Sequence, residues 1–114
     1  MAILKGVKTE VQTKITVSDE VVFMAYWRQM TRSERQEWRE EVGELVRQTP
    51  EKLNQAKYMR QWLVRWEKMP AADGGEIEFN PDNVELVLDA IEYCDALYQQ
   101  GFLAMVNGSA AAKN

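Results

Sequence analysis

The stretch Val7-Lys8-Thr9-Glu10-Val11-Gln12-Thr13-Lys14-Ile15-Thr16-Val17 decides the fold. Its odd positions are β-branched and its even positions are Lys, Glu, Gln and Thr, a strict period of two. In an extended chain successive side chains point to opposite faces, so this pattern predicts a strand with one face buried and one wet. Ser18-Asp19-Glu20 then supplies turn-forming side chains, and Val21 to Trp27 is a run of seven apolar residues led by β-branched and aromatic types. The two runs together predict a β-hairpin. A short buried helix capped by Ser18 remains the alternative for Val21 to Trp27, because periodicity does not separate the two in so short a run.

Downstream the period changes to that of a helix. Thr31-Arg32-Ser33-Glu34 has the spacing of a capping box, in which the Thr hydroxyl accepts from the Glu N–H and the Glu carboxylate reaches back. Trp38, Val42, Leu45 and Val46 follow as an apolar stripe. Thr49-Pro50 reads as a second start, since Thr caps well and Pro at the first helical position loses no bond. The helix it opens carries Leu53, Ala56, Tyr58, Met59, Trp62, Leu63 and Trp66, before Pro70 and the turn Ala71-Ala72-Asp73-Gly74-Gly75. Glu76-Ile77-Glu78-Phe79 is a short extended piece, and Asn80-Pro81 opens a third helix. One stripe of that helix is Val84, Val87, Leu88, Ile91, Cys94 and Tyr98. The other is Leu86, Ala90, Tyr93 and Leu97, so either two layers of the domain or a partner must cover it.

The expected class is therefore α+β: an N-terminal β-hairpin followed by three to four α-helices in a single small domain over residues 1–106. Residues 107–114 are expected to form a flexible C-terminal tail, being small and polar. The 114 residues, 46% apolar and 28% charged, suit one soluble core. The chain starts without the pattern of a signal peptide and has no stretch long enough to span a bilayer, which predicts a cytoplasmic protein with no membrane partner.

Several chemistries are disfavoured by composition. The chain has no histidine and one cysteine, so Cys-His and Ser-His-Asp machinery and multi-ligand zinc patterns are ruled out. Neither a phosphate-cradling glycine loop nor a calcium loop is present. Carboxylate pairs such as Asp89 with Glu92, or Glu76 with Glu78, read as solvated faces. No catalytic, cofactor-binding or metal site is expected. Cys94, among apolar residues, reads as a small buried hydrophobe.

Charge is unevenly spread: residues 1–72 carry 13 basic and 10 acidic groups, a net of +3, and residues 73–114 carry 1 and 8, a net of −7. That asymmetry is compatible with weak homo-oligomers, with attraction to a basic partner, or with plain solvated helix faces. Nucleic acid is not expected, because the arginines of 28–47 are interleaved with Glu34, Glu37, Glu40, Glu41 and Glu44. Of the four tryptophans, Trp38 and Trp27 read as core. Trp62 and Trp66, four apart beside Met59 and Met69, read as core or as a binding surface. The partner-contact candidates are Trp62, Trp66, Tyr93 and Leu97.

The order of these features resembles the tail assembly chaperones of long-tailed phages. It runs from the strand pair to Met30-Thr31-Arg32-Ser33-Glu34 and a helix bearing Trp38. It continues through Val64-Arg65-Trp66-Glu67, the Asp73-Gly74-Gly75 turn, Phe79-Asn80-Pro81-Asp82-Asn83 and Leu86-Val87-Leu88-Asp89 to a closing Lys113-Asn114. The longer approach Lys68-Met69-Pro70-Ala71-Ala72 departs from that pattern. The resemblance implies a non-enzymatic helper in the host cytoplasm that binds the tape measure protein, recruits tail tube protein and is absent from the mature virion. A small acidic bacterial regulator or immunity-type module that masks a basic target is the alternative. The resemblance further implies a longer product made by ribosomes slipping back one base near the end of the message. Lys113-Asn114 is compatible with A-AAA-AAC, whereas an ordinary tail ending in this dipeptide needs no such codons. The expected outcome of reading the nucleotides is that slippery heptamer, with an open −1 frame beyond the stop; another codon choice removes the extended product.

Overall fold

The computed structural model describes residues 10–50 and 53–108. The alternating stretch forms β1 (Glu10–Ser18), which pairs antiparallel with β2 (Val21–Arg28) in the register Glu10 opposite Arg28 through Thr16 opposite Val22. The hairpin reading therefore stands and the helical alternative for Val21 to Trp27 falls. Val11, Thr13 and Ile15 are buried while Gln12, Lys14 and Thr16 are exposed, as the period of two requires. A bulge at Val17 leads into the Asp19-Glu20 turn. Val7 and Thr9 lie outside the described residues.

Helix α1 (Arg32–Gln48) begins at the expected capping box: the Thr31 Oγ1 accepts from the Glu34 N–H at 3.2 Å, and the Thr31 N–H donates to the Glu34 carboxylate at 2.9 Å. Partial burial pushes the Glu34 carboxyl up, but the Thr31 N–H and the Arg28 guanidinium outweigh it and hold its pKa below the usual value. A depressed carboxylate pKa stabilises the fold at neutral pH, and that contribution is lost only as pH falls through the lowered value.

Two expectations for the middle of the chain are corrected. Thr49 closes α1, its N–H donating to the Leu45 carbonyl, and the next helix, α2 (Gln55–Trp62), is capped by Asn54. That helix does not run on to Trp66. Leu63 is already extended at φ −74° and ψ 122°, and Leu63–Glu67 forms β3, antiparallel to β2 in a sheet ordered β1-β2-β3. The cause is non-local: the second edge of β2 carries backbone N–H and C=O groups that need partners, and this segment supplies them. Trp62 and Trp66 consequently sit on different elements and not on one helix face.

Past β3, Lys68 takes a left-handed turn at φ 62°, and the Ala71 to Gly75 turn brings the Ile77 N–H to the Met69 carbonyl at 2.8 Å. Asn80 caps α3 (Pro81–Asp89) with Pro81 in its first turn, as expected. The single third helix of the sequence reading is broken, however. Ala90 is extended at ψ 113°, separating α3 from α4 (Ile91–Ala96), which continues through a π-helical segment, Leu97–Phe102, into α5 (Leu103–Asn107). The break lets α3 lie against α2 while α4 packs on β1. Asn107 belongs to α5, and Gly108 closes it in the left-handed region at φ 75°. The rest of the expected tail, 109–114, lies outside the described residues.

The helices cover one face of the sheet. At the centre Trp27 is fully buried, its indole N–H donating to Thr13 Oγ1 at 2.8 Å and its ring meeting Phe102 edge-on at 6.0 Å. The Thr13 hydroxyl donates its own proton to the Ala25 carbonyl at 3.1 Å, so this buried polar pair is satisfied. Gly101 lies directly on the indole: a Cβ there would stand 2.5 Å from Trp27 Cζ2. Phe102 also touches Trp38, Tyr58 and Tyr98, which joins α1, α2 and the π-helical segment in one aromatic cluster.

Gly101→Ala should destabilise the fold by about 2 kcal/mol, as overpacking a rigid core outweighs the roughly 1 kcal/mol that Ala gains over Gly in a helix. Urea unfolding of Gly101→Ala, Trp27→Phe and the double variant checks this. The cost of the Ala should shrink in the Trp27→Phe background if the indole is what it strikes.

Candidate interaction surface

The structure separates the four contact candidates. Trp62 and Trp66 are each only 4% exposed and Leu97 is fully buried, so these three are core and present no surface. The Trp62 ring is covered by the Arg28 guanidinium at 4.0 Å. The Trp66 indole donates to the Ile77 carbonyl at 2.8 Å and meets Phe79 edge-on at 4.8 Å. Tyr93 alone reaches the surface. Half-buried, it stacks on Phe23 from β2 and lines a groove of about 280 Å³ with Ile77, Asn83, Leu86, Val87 and Ala90.

Two residues outside those four candidates are the most exposed large apolar side chains among the described residues. Leu86 is 69% exposed and Ile91 is 84% exposed. Leu86 shares a helical stripe with Tyr93, so its place on that face is readable from spacing. Ile91 falls on the opposite stripe by spacing, and the break at Ala90 shifts the helical phase and turns it out to solvent. A smaller apolar spot, Val46 at the end of α1, is 50% exposed but stands between Arg47 and Glu44, which pair with each other at 2.7 Å.

Two clefts share lining residues with the groove. Beyond Leu86 lies one lined by Asp82, Glu85 and Asp89 together with Arg60, and beyond Ile77 another lined by Glu76 and Glu78 with Glu67 and Lys68. Arg60 engages Glu85 through two hydrogen bonds of 2.7 and 2.8 Å, which holds the Glu85 carboxyl below its usual pKa. Among the described residues Asp82, Asp89, Glu76 and Glu78 form no ion pair.

The outer face of the sheet is different in kind. Arg65 stacks on Tyr26 at 3.7 Å, pairs with Glu67 and reaches Glu10 at 3.5 Å, and the Tyr26 hydroxyl donates to Glu67 at 3.0 Å. These groups pair across the strands, while Lys14 on the same face forms no ion pair among the described residues. Cys94 is half-buried, and desolvation together with the neighbouring Asp95 pushes its thiol up, against a smaller opposing effect of Arg60. It is held as the unreactive thiol at neutral pH. Among the described residues no group of three or more potential ligands is placed to hold a metal ion, and no helix is long and apolar enough to cross a membrane.

Compared with known proteins, the chain matches no protein-family model, no curated protein and no solved structure at a significant level.

Burial predicts a sharp division among substitutions. Trp62→Ala and Trp66→Ala should each cost about 3–5 kcal/mol, the range for deleting a buried indole. Leu86→Ser and Ile91→Ser should stay within about 0.5 kcal/mol of the parent, as surface changes do. Thermal or urea unfolding followed by tryptophan fluorescence reads the difference.

Proposed function

We propose that this chain is a non-catalytic protein-binding module that acts as a phage tail assembly chaperone, holding the tape measure protein and recruiting tail tube subunits in the host cytoplasm. The observation that carries the binding role is the apolar groove lined by the exposed Leu86, with exposed Ile91 next in sequence to its lining residue Ala90, and with Asp82, Asp89, Glu76 and Glu78 of the adjoining clefts forming no ion pair among the described residues. A contiguous apolar patch rimmed by polar groups is a common mark of an interaction site. The resemblance in the order of sequence features supplies the choice of client. A helper of this kind needs one small domain with a limited apolar face for a long helical client and a charge-paired remainder that stays soluble. The same unpaired acidic border also favours the alternative of a small regulator that masks a basic target, and gene neighbourhood separates the two: a chaperone gene lies between a tail tube gene and a very long tape measure gene.

Co-expression with the tape measure protein encoded beside it should move that protein from the insoluble to the soluble fraction and yield a complex that survives gel filtration. Leu86→Ser with Ile91→Ser should lose the complex while the variant stays folded. A tape measure protein equally insoluble with and without this chain would remove the chaperone reading.

A further inference from the structure

We infer that the groove between Ile77 and the α3–α4 elbow is the docking site for a basic amphipathic helix, one with an apolar stripe and Lys or Arg on both sides of it. The inference rests on the interaction-module reading and adds the chemistry of the occupant.

Size comes first. At about 280 Å³ the groove falls just below the ~300–1,000 Å³ of pockets that enclose whole small molecules. It is open on a ridge made by Leu86, which suits one or two inserted apolar side chains of a larger partner. Charge fixes the rest. Residues 73–108 contain eight Asp and Glu and no Lys or Arg. Asp82 and Asp89 stand beyond the Leu86 bank and Glu76 and Glu78 beyond the Ile77 bank, with Lys68 the nearest cation on that second side. An occupant that seats an apolar side chain in a groove adjoined by acidic clefts at Leu86 and at Ile77 gains most by carrying cations beside that side chain toward both clefts. A helix does so naturally, because residues three and four apart share its apolar stripe while the flanking positions face outward. Anionic partners, whether nucleic acid or an acidic lipid surface, would be repelled. Within the chain Arg28, Arg47, Lys57, Arg60 and Arg65 are paired, while Lys14, Arg32 and Arg39 are exposed and form no ion pair among the described residues, so a second copy is the competing occupant that a protein-concentration series separates.

The test uses the full chain labelled with ¹⁵N and three synthetic helical peptides of about 18 residues, long enough for several turns. The first has a leucine stripe flanked by lysines, the second replaces its lysines with glutamates, and the third replaces its leucines with serines. The lysine–leucine peptide should shift the amide resonances of Leu86, Ala90 and Tyr93. It should bind at least about tenfold more tightly than either control, and weaken as salt rises from about 50 to about 500 mM. Leu86→Ser, or Asp82→Asn with Asp89→Asn, should weaken it by about tenfold or more with the fold intact by circular dichroism.

Equal binding of the lysine and glutamate peptides, or shifts confined to other residues, would overturn the inference. So would groove resonances that move with protein concentration alone, which would make a second copy the occupant. Peptide shifts elsewhere alongside a solubilised tape measure protein would remove this groove and keep the chaperone. Peptide binding in the groove without client solubilisation would do the reverse.

Discussion

The contact between Trp27 and Gly101 is the constraint on which the other elements depend. A fully buried indole on the central strand can be covered by helical backbone only where the side chain above it is a hydrogen atom. That close approach brings Phe102 against the same ring and, through Phe102, collects Trp38, Tyr58 and Tyr98. It also coincides with the π-helical segment Leu97–Phe102, whose wider turn changes which side chains face the sheet. The Thr13 hydroxyl completes the arrangement by accepting the indole N–H, so the Trp27 ring leaves no polar atom unpaired.

Features governed by local chemistry were legible in the sequence. The alternation of Val11, Thr13 and Ile15 gave the buried face of β1, and the Thr31–Glu34 and Asn80–Pro81 pairs marked where helices begin. Features governed by distant partners were not. Leu63 to Glu67 continues the apolar spacing of α2, and only the unpaired edge of β2 makes it a strand. The break at Ala90 involves neither Gly nor Pro, so nothing local announces it, yet it reverses the fate of Ile91. The candidate site was legible to the same degree. Tyr93 and Leu86 belong to a stripe the spacing defines, whereas the burial of Trp62, Trp66 and Leu97 follows from how the sheet and helices close over them.

The two faces of the molecule handle charge in opposite ways. On the outer sheet face every strand contributes to one network, Glu10 from β1, Tyr26 from β2 and Arg65 with Glu67 from β3, and such exposed pairs add little stability individually. They do leave that face with little net field. In the clefts that adjoin the groove the carboxylates of α3 and of the Glu76–Glu78 segment outnumber the cations beside them, Arg60 and Lys68, and Leu86 lines one of those clefts. A cationic molecule approaching by diffusion is drawn toward these carboxylates before any apolar contact forms.

The carboxamide of Gln100 accepts from the Thr16 N–H and donates to the Thr16 carbonyl, both at 2.8 Å, so one side chain of the π-helical segment does for β1 what a neighbouring strand would do. An exposed strand edge is a template on which further chains add, the usual beginning of fibrous aggregates. With that rung occupied from within, sheet-to-sheet growth is obstructed at Thr16. The protection is local to that rung and comes from a side chain of the helical layer, so it lasts only while the π-helical segment stays docked on β1.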